Sequence, residues 1–212
     1  EDTAGVANAE QGWSWNGSVL TLDGATFDVK GENALKYNGS DALCLALVGD
    51  NRLTASGIDG GTVEVLRADN GLSVDYGGAL SVSVRADGTN PSISTAISTF
   101  NMVVQGGAQI TAVSGGATTC SFGVKAGGSI LLEDGSALSA KSGAAHEECA
   151  VKADSMLRVE TGCILTAEGA GKALSGALIV GDYAVILGGE DAANATERDT
   201  GSLAECRYVH VS

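Results

Sequence analysis

The stretch LLEDGSALSAKSG, from Leu131 to Gly143, is written more than once in this chain: VVQGGAQITAVSG begins at Val103 and LRVETGCILTAEG at Leu157. Recurrence on this scale restricts the fold more than any other feature, because a short repeated unit cannot bury its own apolar face and must stack on its neighbours. A compact anchor runs through the copies: a large apolar residue, a small polar one, then Ala or Val. It reads Phe27-Asp28-Val29, Leu53-Thr54-Ala55, Leu72-Ser73-Val74, Ile110-Thr111-Ala112, Leu138-Ser139-Ala140 and Leu165-Thr166-Ala167. The steps are 26, 19, 38, 28 and 27 residues, and since 38 is twice 19 a further copy is expected near Ile93. Three residues before each anchor stands Gly or Asp, at Gly24, Asp50, Asp69, Gly107, Gly135 and Gly162. Such residues make the turn that feeds a strand.

A second phrase precedes several anchors: Ala34-Leu35-Lys36, Ala96-Ile97-Ser98, Gly123-Val124-Lys125, Ala150-Val151-Lys152 and Ala173-Leu174-Ser175. From Ile97, Val124 and Val151 to the next anchor is 13, 14 and 14 residues, so the two phrases are locked in offset. Apolar residues alternate within each phrase. In VLTLDGATFDVKG, Leu20 pairs with Leu22 and Phe27 with Val29 on either side of Asp23-Gly24. Period-two alternation specifies strands with one buried face. Helices are disfavoured, because nearly every window of about 12 residues holds Gly or a cluster of Ser, Thr, Asn and Asp.

The expected fold is all-β: a single-stranded, right-handed parallel β-helix, or β-solenoid, of about 7–8 rungs with capped ends. At about 4.8 Å per rung the rod would be roughly 35–40 Å long. A β-sandwich is the alternative, but it shows less regular self-similarity. One domain over 1–212 is expected, with 1–11 an N-terminal tail, 12–24 a cap and first rung, 190–200 an exposed loop and 201–212 a C-terminal strand and cap. Caps are needed because a bare solenoid end offers unpaired strand edges to other chains.

Composition agrees with this. Hydrophobic residues are 44% of the chain but aromatics only 4%, so the core must be built from Val, Leu, Ile and Ala. There are 31 Gly among 212 residues and one Pro, Pro91, as suits a chain of many turns that is neither collagen nor a Pro-rich linker. The net charge of −14 repels phosphates and anionic headgroups, so neither nucleic acid nor an anionic membrane surface is an expected partner. No apolar run approaches the roughly 18 residues of a membrane span, so no membrane insertion is expected. The opening EDTAGVANAE, without Met or a basic n-region, reads as a mature or trimmed chain. The five cysteines, Cys44, Cys120, Cys149, Cys163 and Cys206, show no C-x-x-C spacing and are expected to be mostly small core residues. Cys120 and Cys149 lie one repeat apart, which leaves a disulfide between them open.

Several segments together resemble a known group. These are the opening W-x-W-x-x-x-x-L-T-L-x-G (Trp13 to Gly24), ALKYNGSDALCLALVGDNRLTASG (Ala34 to Gly57), GVKAGGSILLEDGSALSAKSG (Gly123 to Gly143) and the closing Tyr-Val-His-Val. The chain is similar over most of residues 12–212 to repeat-rich cell-surface proteins of gut Firmicutes and Actinobacteria. It also resembles carbohydrate-binding-domain-containing right-handed β-helix proteins of the pectin-lyase-like type. The resemblance implies a secreted or surface-displayed bacterial module that binds polysaccharide or acts in adhesion, sometimes with calcium. A monomer is expected.

The rival reading is a lyase or glycoside hydrolase acting on an acidic polysaccharide, since such enzymes share this architecture. Hydrolases need paired carboxylates on neighbouring rungs, and lyases need an Arg or Lys base beside calcium-holding carboxylates. The sequence shows no Arg placed beside a paired acidic motif, and its two histidines, His146 and His210, lie in no such context. No catalytic residue and no metal ligand is therefore assigned, and the ligand-binding residues are left open. The segment AHEECA (Ala145 to Ala150) lacks H-E-x-x-H spacing and reads as an exposed turn with Cys149 pointing inward. Asp50, Asp69, Asp87, Asp134 and Asp154 recur near turns, where they serve turn chemistry or line a calcium face. Without calcium, the net charge leaves neutral glycans as the easier ligand. Trp13, Trp15, Tyr37 and Tyr76 are the candidates for stacking on sugar rings, with Trp13 and Trp15 also suited to a hydrophobic end cap. The remaining alternative is a passive surface spacer.

Overall fold

The computed structural model describes residues 6–85 and 87–212. Its strands fall into three stacks, one per face of a coil. Face one stacks Val19–Asp23, Leu43–Val48, Leu72–Asp75, Met102–Val104, Ile130–Leu132, residues 157–159 and residues 177–180. Face two stacks Thr26–Val29, Asp50–Ala55, Ala79–Val84, Gln109–Val113, Ala137–Lys141 and Ile164–Glu168. Face three stacks Leu35–Tyr37, Thr62–Ala68, Ile93–Thr99, Cys120–Ala126, residues 147–153 and residues 174–175. Every pairing within these stacks is parallel, so the protein is a parallel β-solenoid with almost no helix. Six complete layers and the start of a seventh stand where seven to eight rungs were expected.

The core is made of columns, one residue per layer. On face one Leu20, Leu45, Val74, Val104, Leu132, Val159 and Val180 lie in register. On face three the column is Leu35, Leu66, Ile97, Val124, Val151 and Leu174. These residues join one continuous apolar cluster in which Phe122, the largest fully buried side chain, takes no part. Removing so much aliphatic surface from water, at about 25 cal/mol per Å², is the main force holding the layers together.

Two sequence expectations change here. The anchor at Leu72 belongs to face one, stacked between Leu43 and Met102, and Ile93 lies on face three. The true face-two partner of Leu53 is Val82, so matched positions on that face are 26, 29, 30, 28 and 27 residues apart. The 19-residue step was the distance from one face to another. The second correction concerns Cys120 and Cys149: all five cysteines are free thiols. Cys120 pairs across layers with Glu147 while Cys149 pairs with Phe122, so the two thiols are out of register.

Both ends depart from the parallel pattern. Val6–Asn8 and Trp13–Trp15 form an antiparallel hairpin against Val19–Asp23, setting Trp13 opposite Leu22 and Trp15 opposite Leu20. Both Trp rings pack on the core, and Trp15 meets Tyr37 with ring centroids 6.1 Å apart. At the other end Tyr208–Val211 runs antiparallel to Ile164–Glu168, and Ile186–Gly189 antiparallel to it in turn. An antiparallel strand cannot continue the coil, so face two ends there. No helix among the described residues is long and apolar enough to cross a membrane.

Candidate functional site

The residues singled out from sequence scatter over the molecule. Asp50 begins a face-two strand, Asp134 sits at the corner between faces one and two, Asp87 follows face two, and Asp69 and Asp154 leave face three. Among the described residues no group of three or more His, Cys, Asp or Glu side chains is placed to hold a metal ion. In the segment from Ala145, Cys149 is buried and donates its thiol hydrogen bond to Val151 O at 3.1 Å. Glu147 already begins a strand, and its carboxylate pairs with Lys152 Nζ at 2.7 Å. Trp13, Trp15 and Tyr37 are committed to the end cap. Of the four proposed stacking residues only Tyr76 is left with its ring in solvent, 70% exposed.

The outer surface of face three carries a basic column: Lys36, Arg67, Ser98, Lys125, Lys152 and Ser175 lie in register. Two of its four cations, Arg67 and Lys152, are answered by carboxylates. Arg67 sits between Asp69 at 2.7 Å and Glu64 at 2.9 Å, an arginine beside paired acids that the sequence pattern did not disclose. Those carboxylates, Asp69 first, raise the guanidinium pKa further, so Arg67 holds its proton and cannot serve as a base. Lys152 is held cationic by Glu147. Lys125 and Lys152 both lie over the Phe122 ring, at 5.4 and 5.3 Å, and cover it. Of the four cations on this face, Arg67 and Lys152 are held in ion pairs and Lys125 lies against the Phe122 ring.

The corner between faces one and two is different. From the second layer on it has constant length: four positions separate Ala46 from Asp50 and Asp75 from Ala79, and both ends of these segments are paired. A corner this tight needs left-handed backbone, and glycine supplies it at Gly49, Gly77, Gly106, Gly107, Gly135 and Gly162. Yet three non-glycine residues with positive φ occur among the described residues, Tyr76 (77°), Asp134 (54°) and Tyr183 (65°): the first two are at this corner, and Tyr183 follows the last face-one strand on the way into the cap strand Ile186–Gly189. Asp tolerates that conformation, but for a bulky aromatic residue it is a strained outlier. Tyr183 is 99% exposed, so neither tyrosine recovers the strain through burial.

The backbone around Tyr76 is firmly tied. Its N–H donates to Asp75 Oδ1 at 2.6 Å, and Gln105 Nε2 donates to Asp75 Oδ2 at 3.1 Å from the next layer. Gly106, level with Tyr76 in the next layer, has φ of 61°, which favours glycine, and a Cβ there would also displace the Asp75 carboxylate. Buried Asn51 clamps the preceding layers, accepting from Ala25 N at 2.9 Å and donating to Val48 O at 3.2 Å and Ala79 O at 3.3 Å. Beside the Tyr76 ring lies an open depression of about 330 Å³ whose lining includes Leu47, Val48, Asp50, Gly78 and Gln109. This size is at the lower end for a small-molecule site. A smaller hollow of about 100 Å³ adjoins Tyr183, lined in part by Glu160, Thr161 and Asp182.

Tyr183 escaped the sequence reading. Its signal was present, because GDYA stands where the preceding layer has ETGC, with tyrosine in the glycine position. Only register makes that substitution visible.

No protein-family model, curated protein or solved structure matches this chain. The likeness to surface proteins of gut bacteria therefore rests on the quoted phrases alone, and the β-solenoid is the part of it that the structure bears out.

Proposed function

We propose that this protein is a non-enzymatic extracellular or cell-surface module that binds polysaccharide, built as a right-handed β-helix of the pectin-lyase-like type. The right-handed sense is the one that twisted strands favour in parallel connections. The reading rests on one observation: Tyr76 is held exposed in a strained conformation, over a depression offering the Asp50 carboxylate and the Gln109 amide. Backbone strain kept at an exposed residue is a pointer to function. A tyrosine ring offers an apolar face to the C–H face of a pyranose, while carboxylate and amide groups exchange hydrogen bonds with its hydroxyls.

Affinity electrophoresis of the protein and of Tyr76→Gly, in gels containing neutral or uronic-acid polysaccharides, tests the reading. Retardation of the native protein in a neutral gel, reduced in Tyr76→Gly and without loss of polymer length, supports it. Cleavage of any polymer, or equal mobility in every gel, overturns it.

A further inference from the structure

The three strained positions are not independent features. Tyr76 follows the face-one strand of layer three, Asp134 that of layer five, and Tyr183 that of layer seven, since Val74, Val104, Leu132, Val159 and Val180 are successive partners. At about 4.8 Å per layer, Asp134 lies roughly 10 Å from each tyrosine position and the two tyrosines are roughly 19 Å apart along the corner. Between them the two turn positions of the corner carry Gly106 and Gly107, Asp134 and Gly135, then Thr161 and Gly162, with Gln105, Glu133 and Glu160 just before them. The result is a low track with an exposed aromatic ring at each end, Tyr76 and Asp134 standing two residues beyond the paired Val74 and Leu132 and Tyr183 three beyond Val180.

We propose that this corner is one continuous site for an extended, uncharged glycan chain, with Tyr76 and Tyr183 as terminal stacking platforms and Asp134 as the hydrogen-bonding station midway. This deepens the polysaccharide-binding reading and rests on it. The layer step is close to the length of one pyranose residue in an extended chain, so the track takes about four to five sugars. The sign of the ligand follows from the flanks. Asp75, Glu133, Asp134, Glu160 and Asp182 line the corner, and only Glu160 has a cation beside it, Arg158 at 2.7 Å. Their field repels a polyuronate and leaves a neutral chain unopposed. Two platforms on one chain act as linked binding sites, so a ligand long enough to reach both gains affinity without any new kind of contact.

The test is binding of cello-, manno- and xylo-oligosaccharides, from disaccharide to about heptasaccharide, to the native protein, Tyr76→Gly and Tyr183→Gly, with oligogalacturonates as the charged control. Glycine already occupies the matching position in one neighbouring layer of each, Gly106 beside Tyr76 and Gly162 beside Tyr183, so both variants are expected to fold, and a melting temperature at or above the native one checks this. The expected result is affinity that climbs with chain length and levels off near five sugars in at least one neutral series. Tyr183→Gly should lose about tenfold for the long chains, equal to about 1.4 kcal/mol, and nothing for the shortest. Length-independent affinity, or a Tyr183→Gly variant that binds long chains like the native protein, overturns the track while leaving binding at Tyr76 standing. Tighter binding of oligogalacturonates overturns the assignment to an uncharged chain. Failure of every oligosaccharide to bind overturns both the track and the reading beneath it.

Discussion

Tyr76 and Gly106 occupy the same corner position one layer apart, each two residues beyond the paired Val74 and Val104, and both are left-handed, with φ of 77° and 61°. The geometry is one that glycine adopts freely and tyrosine resists. Replacing Tyr76 by Gly should therefore stabilise the fold by about 1 kcal/mol, raising Tm by roughly 2–4 °C for a chain of this size. The same variant should lose glycan retardation. Calorimetry and affinity electrophoresis on one preparation check both, and a Tm that falls would show the ring to be structural.

The columns predict where truncation hurts. Ile97 is fully buried between Leu66 and Val124, while the next residue, Ser98, points outward. Ile97→Ala should cost about 2–5 kcal/mol and Ser98→Ala less than about 0.5 kcal/mol. Gly123→Ala should also destabilise, because its Cβ would lie 2.7 Å from Ala150 O and 3.0 Å from Lys141 N, backbone atoms that cannot turn aside. Urea midpoints of the three variants give the order.

Burial pushes the Cys149 thiol up to about 12. It should resist thiol reagents at neutral pH, since only the thiolate reacts. Cys44 and Cys120 are half-exposed and should label first, with Cys149, Cys163 and Cys206 protected until denaturant is added. The raised pKa also means that the native state holds a proton that the unfolded chain gives up sooner. Stability from this group is complete below the unfolded thiol value and is lost as pH rises toward about 12. Thiol counts with and without denaturant, and unfolding between neutral and strongly alkaline pH, measure each part.

Glu147 is held below the usual carboxylate range by the Lys152 ammonium. Its contribution is present above the unfolded value and disappears as pH falls through the lowered native one. Because the pair is largely solvated, Glu147→Gln should cost only about 0.5 kcal/mol at neutral pH. The difference from native protein should close in the acid range below about pH 4. Melting curves across that range decide it, and a gap that widens in acid would contradict the assignment.

Much of the architecture was legible in the chain. Leu35, Ile97, Val124, Val151 and Leu174, picked out by a three-residue phrase, prove to be one face-three column. The copy that escaped is Leu66, because Val65 stands before it where the phrase has Ala or Gly. Leu72 was assigned to the wrong stack for a similar reason. All three faces alternate apolar and polar residues with period two, so a local pattern cannot say on which face its strand will lie. The candidate site was less legible still: Tyr76 was one name among four aromatics and Tyr183 was not among them.

What the sequence determined by itself was the repeating layer, its strands and its aliphatic interior, because periodicity and turn residues act over a few positions. Which residues became neighbours was decided by the tertiary structure. Parallel stacking joins residues some 21 to 31 positions apart, and a one-residue change in register sends a side chain to the opposite face of the sheet. Only the closed coil sets Asp75 against Gln105, seals Phe122 beneath two lysines and lines up Tyr76, Asp134 and Tyr183 along one edge.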